Sequence, residues 1–299
     1  MSLSQKIKTN CKNGLVKPKD IKEAGNFPVF LNYSYYLKYE QFMIKCYYEK
    51  ILKYVLIIIS SILIFILSGF AINAGTEQVI INSKISSFKK LGVYQEDIST
   101  NLVKYYKVTM DGERPGYTMS GSYMLPGNYG DIIASGDTFV VNELLTFLKN
   151  YNVGGHVAIV TDYYGDNKTT ISKYDSIEAT GMELDENVAK VTNRSYWNDL
   201  DYFNSCVCYR THLSDEKIDE ALSVATGHLY DPYNYNFTFD TKNKSYCSDL
   251  ISKTFDYVGI NLNRDGYWTT VWDIMVCPDL YITYYHYTES GIKYIYYVG

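Results

Sequence analysis

An uncharged segment of 21 residues, from residue 54 to residue 74, divides this chain of 299 residues. Almost all of its side chains are aliphatic, aromatic or small. As a helix, with a rise of about 1.5 Å per residue, the segment spans about 30 Å, which matches the hydrocarbon core of a bilayer. It therefore predicts one transmembrane helix. A buried helix of a soluble protein and a signal peptide cleaved near Gly69 are the alternatives, and the 53 residues that precede the segment disfavour the second.

The distribution of charge predicts the orientation of this helix. Residues 1–53 carry ten Lys and four acidic side chains, whereas residues 54–299 carry 18 basic and 29 acidic ones. By the positive-inside rule, the N-terminus is cytoplasmic and the larger part of the chain is extracytoplasmic, which predicts a single-pass protein of the cell membrane. An acidic domain of this kind is a poor binder of nucleic acid, so nucleic acids are excluded as partners.

Four segments follow from these patterns. Residues 1–53 form a cytoplasmic N-terminal segment, 54–74 the transmembrane helix and 75–125 an extracytoplasmic stalk or subdomain rich in turn residues. From residue 126 to residue 299, apolar runs of strand and helix spacing alternate, which predicts an α+β domain with an antiparallel sheet packed against helices. Its predicted elements are strands over 131–134, 156–163, 170–179 and 206–211, helices over 140–151 and from Ser214 and Cys247, and a hairpin over 281–287 and 292–298.

Cys247 lies where a helix is predicted to begin. Apolar residues recur after it at helical spacing until Gly259, a residue typical of helix C-termini. The positive end of the helix dipole favours a thiolate at that position. Cys247 is therefore a candidate nucleophile. The apolar residues of the helix are Leu250, Ile251, Phe255 and Val258.

His156 opens an apolar, β-branched run that is typical of a buried strand. An imidazole within reach of Cys247 would complete an activated nucleophile, and a polar group would fix its tautomer. Glu178, on the next predicted strand, is the favoured third residue because neighbouring strands lie about 4.8 Å apart. The competitor Asp162 lies about 20 Å further along the histidine strand, which is too far.

These residues resemble the circularly permuted branch of the NlpC-type papain-like cysteine amidases and peptidases. The resemblance covers about residues 126–280 and depends on the order of its motifs, in which the histidine precedes the cysteine. It implies a permuted papain-like fold, with Cys247 as nucleophile, His156 as base and Glu178 as the orienting acid. The motifs are Gly130-Asp131-Ile132-Ile133, Gly155-His156-Val157-Ala158, Ile177-Glu178-Ala179, Tyr230-Asp231, Tyr246-Cys247-Ser248-Asp249 and Gly259-Ile260-Asn261-Leu262.

The chain departs from this pattern in a tyrosine-rich loop, residues 230–244, that precedes the nucleophile. Such a loop is expected to border the cleft, and Tyr233 and Tyr235 are candidate substrate-binding residues. The predicted function is a membrane-anchored, extracytoplasmic cysteine hydrolase that cleaves amide bonds in the stem peptides of peptidoglycan. The alternatives are an acyltransferase or a lipid or ester hydrolase on the same scaffold, and a non-catalytic envelope-binding module.

No metal or other cofactor is predicted, because the cysteines and histidines lack the spacing of a zinc site. Cys206 and Cys208 flank one residue of a predicted strand, so they share a face and do not readily bond to each other. Both are interpreted as small buried apolar residues. A disulfide from Cys247 to Cys206 or Cys277 would instead favour the non-catalytic alternative.

Overall fold

The computed structural model describes residues 29–136, 155–161, 175–181, 188–198, 203–237, 242–263, 265–266 and 268–299. The chain divides into two compact units, Met1–Ile72 and Asn73–Gly299. The predicted helix over 140–151 and the competitor Asp162 lie outside the described residues. The predicted boundary between residues 125 and 126 stays a prediction, because the second unit contains both sides of it.

Helix α1 (Val29–Lys90) contributes to both units. Among the described residues, the stretch Gln41–Lys90 is long and apolar enough to cross a membrane by length and composition. The side chains of residues 51–69 are exposed. The apolar segment predicted from the sequence is therefore helical, and it is a candidate for a single membrane span.

From Asn73 onward, α1 packs on the second unit through the buried side chains of Ile81 and Phe88. Between them, Lys84 Nζ donates to three main-chain carbonyl oxygens, those of Met275, Cys277 and Leu280, at 3.2, 2.6 and 3.2 Å. The ammonium group satisfies backbone acceptors that would otherwise be costly to bury. This end of α1 is thus an integral part of the second unit.

The second unit is built on a nine-stranded sheet with the order β1-β2-β11-β10-β9-β5-β6-β7-β8, and β3 and β4 form a separate hairpin. The strands are β1 (Val93–Tyr94), β2 (Val103–Val108), β3 (Tyr117–Ser120), β4 (Tyr123–Pro126), β5 (Ile132–Ser135), β6 (His156–Thr161), β7 (Asp175–Ala179), β8 (Ala189–Asn193), β9 (Ser205–Thr211), β10 (Leu280–Glu289) and β11 (Ile292–Val298). A 3-10 helix (Arg194–Asn198) follows β8, and the helices are α2 (Asp215–Gly227), α3 (Cys247–Asp256) and α4 (Val271–Val276).

The prediction of an antiparallel sheet is wrong at one pairing. β2 runs parallel to β11, with Val103 beside Lys293, whereas the other neighbouring strands are antiparallel. The predicted hairpin is confirmed as β10 and β11. The sheet is mixed because β2, from the segment before residue 126, adds to the outer side of that hairpin.

Both faces of the sheet are covered, as the alternation of side chains along each strand requires. On β5, Ile132 and Ala134 belong to the core cluster that also includes residues of helices α2, α3 and α4. Ile133 belongs to a second cluster on the other face, together with Trp197 and Phe203. Continuous burial of β5 explains why its first three residues, Ile132 to Ala134, are all apolar.

Candidate active site

Cys247 is the first residue of α3, as the sequence predicted, and its side chain is buried. The helix is amphipathic and packs an apolar face against β6 and β7. It ends at Asp256, three residues before Gly259, in a Schellman turn. There the amide of Ile260 donates to the carbonyl of Phe255 at 2.9 Å, and Gly259 has the positive φ of 91° that the turn requires.

His156 is the first residue of β6, and its position depends on the preceding glycine. Gly155 has φ of 123°, and a Cβ at this residue would lie 1.9 Å from the carbonyl oxygen of Ser135 on β5. Only glycine allows this conformation and this close approach of two backbones. The Gly-His pair therefore fixes where β6 begins and where the imidazole lies.

Glu178 meets His156 across the pairing of β6 with β7. Its Oε2 lies 2.6 Å from Nε2 of His156, and the carboxylate is buried, whereas the imidazole is 20% exposed. The thiol of Cys247 is a second hydrogen-bond partner of the imidazole. Because Glu178 occupies Nε2, Nδ1 is the ring nitrogen left for the thiol. The structure thus brings together the three residues predicted from the sequence.

The charges of these residues support one another. Burial lowers the pKa of His156, but the negative charge of Glu178 and hydrogen bonds to Cys247 and Glu178 outweigh burial and raise this pKa to about 10. Burial alone would raise the pKa of Glu178, but the charge of His156 and its hydrogen bonds hold that pKa below its usual value. The arrangement therefore favours an imidazolium paired with a carboxylate at neutral pH.

Two aromatic side chains of the second cluster, Trp197 and Phe203, form a stack against the imidazole ring of His156. The ring of Trp197 lies almost parallel to that of His156, with centroids 5.5 Å apart and an angle of 9° between the planes. Phe203 stacks on Trp197 in turn, with centroids 4.3 Å apart. These contacts limit rotation of the imidazole and shield its bond to Glu178 from water, which strengthens that bond.

Two further polar residues contact Glu178, and neither lies in a sequence pattern that predicts a site residue. The hydroxyl of Tyr196 donates to Oε2 of Glu178, and the hydroxyl of Thr192 is a further partner of the carboxylate. Thr192 also lies 3.1 Å from the hydroxyl of Ser176. The carboxylate is thus held by donors from β8 and the 3-10 helix as well as by the histidine.

The predicted substrate-binding residues occupy different environments. Tyr233 is half-buried, and burial followed by the nearby charge of Cys247 raises its pKa well above the usual value. Its ring lies against Gly181, where a Cβ would be 2.5 Å from it. Tyr235 is 55% exposed, packs on Tyr233 and donates a hydrogen bond to the carbonyl of Gly181. Tyr233 is thus close enough to the candidate nucleophile for the charge of Cys247 to affect its pKa, and Tyr235 is the more exposed of the two.

Cys206, Cys208, Cys247 and Cys277 are all free thiols. Cys206 and Cys208 are buried, as the sequence predicted, and Sγ of Cys206 lies 3.4 Å from Nδ1 of His286. His286 is buried too, so this second pair of cysteine and histidine is not accessible to a substrate.

One group of carboxylates among the described residues could hold a metal ion by distance alone: Glu77, Asp265 and Asp273. Asp273, however, accepts hydrogen bonds from the main chain and side chain of Thr270 in the capping box of α4. Glu77 accepts a hydrogen bond from Asn73. Burial, together with the charges of the two neighbouring aspartates, raises the pKa of Glu77 to about 7.

Comparison with known proteins finds a matching family model for part of this chain. Residues 128–267 match the model of the Peptidase C92 family, described as permuted papain-like amidase enzymes of the YaeF/YiiX type. This range contains Cys247, His156 and Glu178. The resemblance to permuted papain-like enzymes drawn from the sequence is confirmed over these residues, although the matching model is that of Peptidase C92 and not an NlpC-type one. This match supports a permuted papain-like fold for residues 128–267.

One structural neighbour is the metalloprotein YiiX from Escherichia coli O157:H7. It is 16% identical, with a TM-score of 0.36, over 52% of this chain and 96% of that chain. A search of curated protein sequences finds no match.

Proposed function

We propose that this protein is a membrane-anchored cysteine hydrolase that cleaves amide bonds, with Cys247 as nucleophile, His156 as general acid and base, and Glu178 as the residue that orients the imidazole. The contact between His156 and Glu178, with Cys247 as the other partner of the imidazole, is the observation that carries the proposal. The match of residues 128–267 to a family of permuted papain-like amidases supports the reaction class.

The reaction begins when the thiolate of Cys247 attacks the carbonyl carbon of the amide. The negative oxygen that forms is stabilised by main-chain N–H groups at the start of α3, since the first N–H groups of a helix have no partner within the helix. The C–N bond then breaks, and the imidazolium of His156 gives its proton to the departing amine. A thioester on Cys247 remains.

Water completes the cycle. The imidazole of His156, now neutral, takes a proton from a water molecule that attacks the thioester. The C–S bond breaks, the carboxylic acid leaves, and the thiolate and imidazolium are restored. Glu178 accepts a hydrogen bond from His156 throughout and stabilises its charged form, so the pair is ready for the next substrate.

The proposed substrates are the stem peptides of peptidoglycan, and the proposed location is the outer face of the cell membrane. Residues 54–74 would anchor the protein with residues 1–53 in the cytoplasm, as the excess of lysine before the apolar segment favours. An amidase tethered in this way would lie close to the cell wall.

The test uses the full-length protein in detergent, with purified peptidoglycan and synthetic stem peptides as substrates. Mass spectrometry of the products should show new amino and carboxyl ends, and brief incubation should leave an acyl group on Cys247. Cys247→Ser and His156→Gln should each reduce turnover at least about 1000-fold. Cys277→Ser removes another buried thiol outside the site and should retain activity.

Two results would overturn the proposal. Turnover that persists in Cys247→Ser would exclude this nucleophile. An acyl group that forms on Cys247 only with phospholipid or ester substrates, assayed in the same micelles, would favour the lipid hydrolase or acyltransferase instead.

A further inference from the structure

Tyr196 makes a contact that the reaction above does not use. It lies in the 3-10 helix that follows β8, and its hydroxyl donates to Oε2 of Glu178. The same oxygen faces Nε2 of His156. One carboxylate oxygen therefore joins the tyrosine to the histidine, and the position of that oxygen depends on both.

The ring of Tyr196 is held by its neighbours. It packs against Trp197, with centroids 5.4 Å apart, and against Phe203, with centroids 5.8 Å apart. These two side chains also form the stack that supports His156. The phenol and the imidazole thus share one aromatic support, and the hydroxyl has little freedom to turn away from Glu178.

Tyr196 also helps to keep the carboxyl group of Glu178 ionised. Burial favours the neutral acid, and hydrogen bonds from His156, Tyr196 and Thr192 are among the contacts that keep the pKa of this carboxyl low. The pKa of Tyr196 itself is raised well above its usual value by burial and by the charge of Glu178. The phenol therefore keeps its proton and remains a donor up to at least the usual tyrosine pKa of about 10.

We propose that Tyr196 is a positioning residue, whose hydroxyl fixes the ionised carboxylate of Glu178 so that Oε2 holds the imidazole of His156 towards Cys247. The inference depends on the proposed function for the roles of the last three residues. It goes beyond that function because it adds a fourth residue that acts through Glu178 and needs no contact with the substrate.

The experiment measures alkylation of Cys247 by iodoacetamide in the full-length protein in detergent, from pH 4 to pH 9, with peptide mapping to read this cysteine alone. In Tyr196→Phe, the loss of a donor to Glu178 should allow the carboxyl to gain its proton at higher pH. The acidic limb of the rate profile should then move to higher pH, with a loss of about tenfold on that limb, as expected for one hydrogen bond to a charged group.

Tyr281→Phe is the matched control. The hydroxyl of Tyr281 also donates to a glutamate, Glu113. This glutamate forms an ion pair with Arg210, which also pairs with Asp131, the residue that precedes β5. His156 pairs with Ser135 at the other end of that strand. This variant removes the same kind of hydrogen bond away from the site, and its profile should superimpose on that of the wild type.

The same Tyr196→Phe substitution, made in a Glu178→Gln protein, distinguishes a positioning role of Tyr196 from a purely structural one. In Glu178→Gln, the addition of Tyr196→Phe should change the rate less than twofold, because the residue through which the phenol acts has lost its charge. A profile of Tyr196→Phe that matches the wild type overturns the proposal. An equal loss at every pH, or the same loss in both backgrounds, overturns it as well.

Because alkylation needs no amide substrate, failure of the two proposals can be told apart. A protein that shows the Tyr196 effect but cleaves no amide retains the positioning role and loses the proposed function. A protein that cleaves amides through Cys247 without the Tyr196 effect shows the reverse.

Discussion

Nε2 of His156 lies 2.6 Å from Oε2 of Glu178, and the carboxylate is almost completely buried. Bonds of this kind between charged groups are short and strong, and burial makes them more so. The pair sets the charge of the imidazole, which in turn determines the pH range over which the site can act.

Glu178→Gln should therefore narrow the active pH range. Loss of the negative charge lowers the pKa of His156 from about 10, so the imidazolium loses its proton at lower pH. The basic limb of the kcat/KM profile should move to lower pH, and kcat should fall about 10-fold to 100-fold at its optimum. Kinetics from pH 5 to pH 10 measure both changes.

Glu220→Gln is the control, because Glu220 forms an exposed pair with Lys217 at the surface of α2. It should leave the profile unchanged. A basic limb that stays in place in Glu178→Gln would show that the carboxylate does not set the charge of His156.

The three residues of the candidate site could be predicted because each lies in a local pattern. His156 opens an apolar run, Cys247 precedes a helical one, and Glu178 follows from the spacing of neighbouring strands. Tyr196 lies in no such pattern, since it is one of 33 tyrosines and reaches Glu178 only because β8 pairs with β7. The parallel pairing of β2 with β11 was missed for the same reason, because its residues are far apart in the chain.

The folded state should lose stability as the pH rises past neutrality, in a way that depends on His156. The pKa of His156 is about 10 in the folded protein and 6.5 in the unfolded chain. Between these two pH values, the folded state therefore binds more protons than the unfolded state. The contribution is fully present below about pH 6.5 and is lost as the pH rises through about 10.

Thermal unfolding of the full-length protein and of His156→Gln, followed by circular dichroism, measures this contribution. Groups such as Glu77 also titrate in part of this range, so only the difference between the two proteins reports on the histidine. The melting temperature of the wild type should exceed that of the variant by the largest amount at pH 6. The two melting temperatures should converge towards pH 10. A constant difference across this range would contradict the expectation.

Gly155→Ala should damage the start of β6. A methyl group would lie 1.9 Å from the carbonyl oxygen of Ser135, and φ of 123° is strained for any residue with a Cβ. We expect a loss of more than about 2 kcal/mol in the free energy of unfolding, measured by urea denaturation.

Gly112→Ala is the matched control, since Gly112 also has a positive φ, of 78°, but has nothing within 4 Å of the site of its Cβ. Backbone strain alone should lower the free energy of unfolding of Gly112→Ala by about 1 kcal/mol. Equal losses in the two variants would show that the close approach to Ser135 has no effect of its own.

Gly181→Ala should affect the binding of substrate rather than the chemical step. Its Cβ would lie 2.5 Å from the ring of Tyr233, which must move, whereas the backbone of Gly181 is not in the left-handed region. Because Tyr233 lies within electrostatic range of Cys247, displacement of its ring should raise KM about 10-fold with a change of less than about threefold in kcat.

A second variant at the same contact separates the ring from the backbone. Tyr233→Ala removes the ring and should raise KM by a similar factor, and adding Gly181→Ala to it should then have little further effect. If Gly181→Ala lowers kcat and leaves KM unchanged, Tyr233 acts on the catalytic residues instead of contacting the substrate, and its predicted role in binding is wrong.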